Sequence, residues 1–141
     1  MIKKIYYTWE NFDKDIIKIK EYIKKQKWQV DAIYAIPRGG LILGTVLSNH
    51  LNVPLYIKSD DIESSRIPIN HILIVDDISD RGETLLDIED IYDFKTITLF
   101  TKKGTKFVSN YFCNACKLDE WIVYPWEAKN GRTERDGTEV K

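Results

Sequence analysis

Two cysteines, Cys113 and Cys116, are all that the 141 residues contain. That is too few for a disulfide-stapled scaffold, and a reducing, cytoplasmic setting is the expectation from such usage. No apolar run approaches the roughly 18 residues of a spanning helix, so no membrane span is expected. The opening MIKKIYYTWE lacks the apolar stretch of a secretory signal. Neither charge sign dominates: 21 basic and 22 acidic side chains leave a formal net charge of −1. Binders of nucleic acid or anionic membrane need a basic excess, so neither partner is expected. Internal repeats and low-complexity stretches are missing. So are GxxxxGK[ST] and GxGxxG, which leaves P-loop and dinucleotide sites unsupported. The single CxxC, Cys113 to Cys116, is half of a zinc site without a second pair, and the two thiols are read as ordinary. His71 opens an apolar run and is read as structural.

What the chain does have is core material: 43% hydrophobic and 12% aromatic residues. That is enough for one domain, expected over 1–127, with a polar, mobile tail over 128–141. From Asn11 to Trp28, apolar residues at Phe12, Ile16, Ile19, Ile23 and Trp28 predict an amphipathic helix. Ala32 to Ile36 predicts a buried strand running into the turn Pro37-Arg38-Gly39-Gly40. Leu41 to Leu51 predicts a helix with Gly44 as a close-packing point. Pro54 to Lys58 is a second strand, and the polar Ser59 to Asn70, with Pro68, is a loop. His71 to Val75 is the most apolar run, the mark of a strand buried on both faces. Glu83 to Asp90 predicts a helix, and Thr96 to Phe100 and Trp121 to Tyr124 predict strands. The alternation gives an α/β fold: a mainly parallel sheet flanked by helices.

In such sheets ligands sit beyond the carboxyl ends of the strands. Three segments carry chemistry there. In ILIVDDISDRGETL, residues 72–85, a buried strand ends in Asp76 and Asp77, and a short loop, Ile78 to Glu83, leads to a helix opening near Thr84. Backbone N–H groups of such a loop and a helix N-terminus cradle a phosphate. Ser79 and Thr84 add hydroxyls, and Gly82 gives the backbone freedom. Carboxylates beside an anion site make sense if they bind hydroxyls or a divalent cation, as for a sugar phosphate held with Mg²⁺. Taken alone, the pair also fits turn residues capping the next helix. In AIPRGGLILG, residues 35–44, Arg38 is a fixed cation, and Gly39-Gly40 lets backbone amides approach an anion. By itself this also fits a helix-start turn with a solvated Arg. Finally, Phe100-Thr101-Lys102-Lys103-Gly104 and WIVYPWE, residues 121–127, offer a Lys and an aromatic face. Those suit a flat heterocycle, and equally a core strand.

Together, in this order, the three segments resemble the type I phosphoribosyltransferases, and WIVYPWE resembles their xanthine–guanine branch. The resemblance runs from about Val30 to Glu127. It implies a Rossmann-like fold and transfer of phosphoribose from 5-phosphoribosyl 1-pyrophosphate (PRPP) to a 6-oxopurine, with release of pyrophosphate. Guanine and xanthine are favoured over hypoxanthine. By the same resemblance Asp76 and Asp77 contact the ribose hydroxyls, partly through Mg²⁺, with Asp77 the metal ligand. Asp80 is the general base or acid. Ser79, Arg81, Gly82, Glu83 and Thr84 hold the 5′-phosphate. Arg38, Gly39 and Gly40 hold pyrophosphate. Lys102, with Lys103 as the fallback, contacts the purine 6-oxo group. Trp121 stacks on the base, Ile122 offers backbone contacts, and Glu127 lies near the amino edge. A homo-oligomer, dimer or tetramer, is implied too. Two departures stand out. Arg81-Gly82-Glu83-Thr84 replaces the usual Thr or Ser, two glycines and Thr. The flexible hood is reduced to Ser59 to Asn70, with Ser64, Ser65 and Arg66 as a short version. These departures motivate the alternative, a PRPP- or nucleotide-binding regulatory module with little catalysis.

Overall fold

The computed structural model describes residues 1–80 and 95–127. The predicted helix Glu83 to Asp90 and the tail 128–141 lie outside them. Strand β1 (Lys3–Tyr6) leads into helix α1 (Trp9–Gln26). Then come β2 (Ala32–Ala35), α2 (Leu41–Leu51), β3 (Leu55–Tyr56) and α3 (Ser59–Ser65). A 3₁₀ turn (Ile69–His71) precedes β4 (Ile72–Ser79), β5 (Lys95–Lys102), β6 (Tyr111–Cys116) and β7 (Glu120–Val123). Five strands form one sheet in the order β3-β2-β4-β5-β6, and β1 and β7 form a second, two-stranded sheet. Every pairing is parallel.

Residue character explains the layering. Along β2, β4 and β5, alternate side chains leave on opposite faces. Ile33, Ala35, Leu73, Val75, Ile97 and Leu99 share one face with Phe12, Ile16, Ile19 and Ile23 of α1 and Leu43 and Leu47 of α2. Ala32 and Ile72 meet Ile62 of α3 on the other, and Ile36 and Ile74 meet Phe107. β4 is therefore apolar on both faces, as its sequence predicts. Gly44 lets α2 close on the sheet, since a Cβ there would fall 2.6 Å from Ala35 Cβ. Near β5 the second face turns polar. Thr98 Oγ1 and Ser109 Oγ are 2.8 Å apart, and Thr96 N–H donates to Asn110 Oδ1 at 2.8 Å.

Helix α1 starts two residues before Asn11 because Thr8 caps it. Thr8 Oγ1 accepts from Asn11 N–H at 3.0 Å, and Asn11 Oδ1 accepts from Thr8 N–H at 3.1 Å. Ser59 to Asn70 is not a loop. Asp60 and Asp61 favour a helix N-terminus by charge, Ile62 anchors the turn in the core, and Arg66 ends it at φ 63°. Seven residues are too few for periodicity to reveal. β1, mostly exposed, and β6, whose exposure does not alternate cleanly, escape sequence patterning altogether. Cys113 and Cys116 lie three apart on β6, so an extended strand sends them to opposite faces. Both are free thiols. Among the described residues, no group of three or more His, Cys, Asp or Glu is arranged to hold a metal. No helix among them is long and apolar enough to cross a membrane.

Candidate active site

The carboxyl ends of β2 and β4 are neighbours, and that decides where the two anion-type turns open. The last rung between them is Ile36 N–H to Val75 O at 3.0 Å. The chain then turns through Pro37–Arg38, a cis peptide. The turn closes with Gly40 N–H to Ile36 O at 2.8 Å and Leu41 N–H to Arg38 O at 3.1 Å. Gly39 packs directly on the Asp77 carboxylate; a Cβ there would fall 2.6 Å from Asp77 Cγ. Residues 37–40 and 76–79 thus share one rim of the sheet.

β4 runs further than its apolar stretch predicts. The expected loop beginning at Ile78 starts instead after Ser79, and Asp76 and Asp77 are strand residues. Their peptide is fixed by their own side chains: Asp77 N–H donates to Asp76 Oδ1 at 2.8 Å, and Ile78 N–H to Asp77 Oδ1 at 2.8 Å. Asp77 is buried. Ser79 departs from its expected place at a phosphate. It is buried, and its hydroxyl donates to Phe107 O and lies 3.1 Å from Thr105 Oγ1. The strand pleat turns it into the face that the 105–109 segment covers. Asp80 is the first residue beyond β4. Arg81, Gly82, Glu83 and Thr84 lie outside the described residues.

Asp80 meets the end of β5 and the second sheet in a recess of about 290 Å³, part of it open solvent. Lys102 Nζ lies 3.7 Å from Asp80 Oδ1 and 5.9 Å from the Trp121 ring centroid. The lysine side chain is 12% exposed and the aspartate 50%, so the pair is open on the carboxylate side. Ile78, Glu120, Ile122 and Tyr124 complete the wall. Lys103 is exposed, and its N–H donates to Cys116 O at 2.9 Å. Of the two candidate lysines, Lys102 lines the recess. Glu127 is not among the lining residues. Its Oε1 accepts from Tyr124 N–H at 2.9 Å, and its N–H donates to Tyr124 O at 3.1 Å, so it closes the turn at Pro125.

β1 holds the shelf in place, pairing Lys4 with Trp121 and Ile5 with Ile122. Behind it Tyr124 and Trp126 stack at 5.0 Å with planes 11° apart, and Phe12 meets Trp126 edge-on at 5.4 Å. Tyr7 O–H donates to the buried Asp15 Oδ2 at 2.6 Å, and Asn114 Nδ2 donates to the same oxygen at 2.9 Å. Burial, then the Asp15 carboxylate, raise the Tyr7 phenol above its ordinary value. The same two causes push the Cys113 thiol up to about 12. Of the lining residues that sequence reasoning missed, Ile78, Glu120 and Tyr124, the last ties the recess to the rim. It lines the recess, and its hydroxyl donates to Asp77 O at 3.1 Å. A tyrosine in an aromatic-rich strand gives no separate signal.

No family model matches the chain. Xanthine-guanine phosphoribosyltransferase from Vibrio atlanticus is 27% identical over 143 residues, 90% of this chain and 91% of that protein. The crystal structure of purine phosphoribosyltransferase from Pyrococcus horikoshii is 31% identical, with a TM-score of 0.70 over 89% of this chain and 95% of its own. Helicobacter pylori xanthine-guanine-hypoxanthine phosphoribosyltransferase matches the fold with a TM-score of 0.76 at 22% identity, covering 96% of this chain and 99% of that one. A sheet of this topology, a shared rim for residues 37–40 and 76–79, and likeness at this identity and coverage agree: the chain belongs to the purine phosphoribosyltransferases and has their type I fold.

Proposed function

We propose that the protein transfers phosphoribose from PRPP to N9 of a 6-oxopurine base, guanine or xanthine with hypoxanthine less favoured, releasing pyrophosphate. One observation carries this. The Asp80–Lys102 pair, beside Trp121, opens into a recess at the rim where Asp77 meets the Gly39 turn. A flat heterocycle against Trp121 would find a cation for its oxo group and a carboxylate for its ring N–H. Asp80, half exposed on the side away from Lys102, is placed to take or return a proton at purine N7 as the bond to the anomeric carbon forms. Arg38 and the Gly39 amide would steady the departing pyrophosphate; the Gly40 N–H is spent on Ile36 O, so Gly40 serves by closing the turn rather than by donating. Developing charge is worth stabilising there, on the order of 3 kcal/mol per donor.

Asp76 and Asp77 fit Mg²⁺. They are hard oxygen donors, and a site with one or two carboxylates relies on substrate phosphates for the remaining ligands. The ion would neutralise charge on PRPP. Arg81, Gly82, Glu83 and Thr84 are proposed for the 5′-phosphate on sequence resemblance alone. Glu127 is proposed to shape the amino-edge end through its turn. A cytoplasmic, homo-oligomeric enzyme is the setting we propose.

The test is PRPP- and Mg²⁺-dependent pyrophosphate release with each common nucleobase in turn. Guanine and xanthine should support turnover, and Asp80→Asn should lower kcat by about a hundred- to ten-thousandfold. Calorimetric binding of PRPP without turnover on any base would sink the transfer reaction. That outcome would leave a binding module, which the named relatives do not favour.

A further inference from the structure

We infer that Tyr124 is a positioning residue for the two carboxylates proposed to take the ribose end of PRPP; the inference rests on the function just proposed. β2 leaves the sheet after the rung from Ile36 N–H to Val75 O, while β4 runs on to Ser79. In a strand, residues two apart direct their backbone groups to the same neighbour. Asp77 therefore aims its N–H and C=O at the side that β2 has vacated. Its N–H goes to Asp76 Oδ1, and its C=O takes the Tyr124 hydroxyl at 3.1 Å. The hydroxyl does there what the missing strand would have done.

The aim of that hydroxyl is fixed by packing. Tyr124 is 3% exposed. Its ring stacks on Trp126 and meets Phe100 at 6.1 Å and Tyr7 at 5.7 Å, both edge-on. Phenylalanine would satisfy all three contacts. What the hydroxyl adds is a tie between the shelf and the peptide unit of Asp77, whose carboxylate rests on Gly39. Without it the buried Asp77 carbonyl loses this donor, and the tie between the shelf and the Asp77 peptide is gone.

The experiment compares wild type, Tyr124→Phe and Phe100→Leu. Phe100→Leu loosens the same aromatic group and keeps the hydroxyl. Calorimetry gives the Kd for PRPP in saturating Mg²⁺, melting gives Tm, and steady-state assays give KM for the base. Tyr124→Phe should weaken PRPP about three- to tenfold, the worth of one hydrogen bond, with the base KM unchanged. Phe100→Leu should lower Tm at least as much and leave the PRPP Kd unchanged. An unchanged Kd in Tyr124→Phe, equal weakening in both variants, or a Tyr124→Phe protein that fails to fold would overturn the inference. Wild type that binds PRPP but transfers nothing overturns the proposed reaction alone, and the Kd comparison still decides here. Wild type that does not bind PRPP overturns both.

Discussion

At the scale of single residues, two side chains set a measurable pH response. Tyr7 and Cys113 are both pushed upward, by burial first and by Asp15 after it. Each is a neutral acid that keeps its proton more firmly in the fold than in the unfolded chain. Their contribution is complete below the ordinary values of 9.0 and 10.0 and is lost as pH climbs. The thiol's share goes between 9.0 and about 12; the phenol's begins to go at 10.0. Each group should add a slope of about −1.4 kcal/mol per pH unit within its window. Denaturant unfolding between pH 8 and about 11 checks this. Cys113→Ala should flatten the fall that starts at 9.0, and Tyr7→Phe the fall that starts at 10.0. Gly39→Ala is the sharper probe of the rim. Its Cβ must displace Asp77, so PRPP affinity should drop, by about tenfold or more, in a protein that still melts cooperatively.

Elements differ in how plainly the sequence announces them. α1 was legible through its apolar spacing and β4 through its solid apolar run; both signals are local. The extension of β4 through Asp76 to Ser79 was not, because polar residues at a sheet rim break the apolar pattern while the ladder to β5 continues. The candidate site followed the same rule. Lys102, Trp121 and Asp80 were findable as types at strand ends. Ser79's burial and the turn role of Glu127 depend on partners far off in sequence or on local folding back. A capping box is a local device with a local test. Thr8→Ala should lower stability by about 1 kcal/mol, read from the denaturant midpoint, with turnover per folded molecule unchanged.

Among the described residues the main sheet is packed with apolar side chains on both faces, and its middle strand carries both roles. Leu73 is fully buried in β4, between β2 and β5. Leu73→Ala should cost about 2–5 kcal/mol in chemical denaturation. The strand whose outer end bears Asp76 and Asp77 is thus stiffened by its own inner half. The same economy links α1 to the shelf: Asp15 gathers Tyr7 and Asn114, so Asn114→Ala should destabilise the fold by about 1–3 kcal/mol, measured by thermal melting.

The pairing of β1 with β7 has a consequence for how the enzyme is made. Among the described residues, 3–6 pair with one strand, Glu120–Val123, which is synthesised after every strand of the main sheet. The shelf at Trp121 therefore assembles only after all strands of the main sheet have emerged, so the proposed donor and acceptor ends of the site mature at different times. A ribosome-stalled fragment ending before residue 120 should fold its central sheet and lack any grip on a nucleobase.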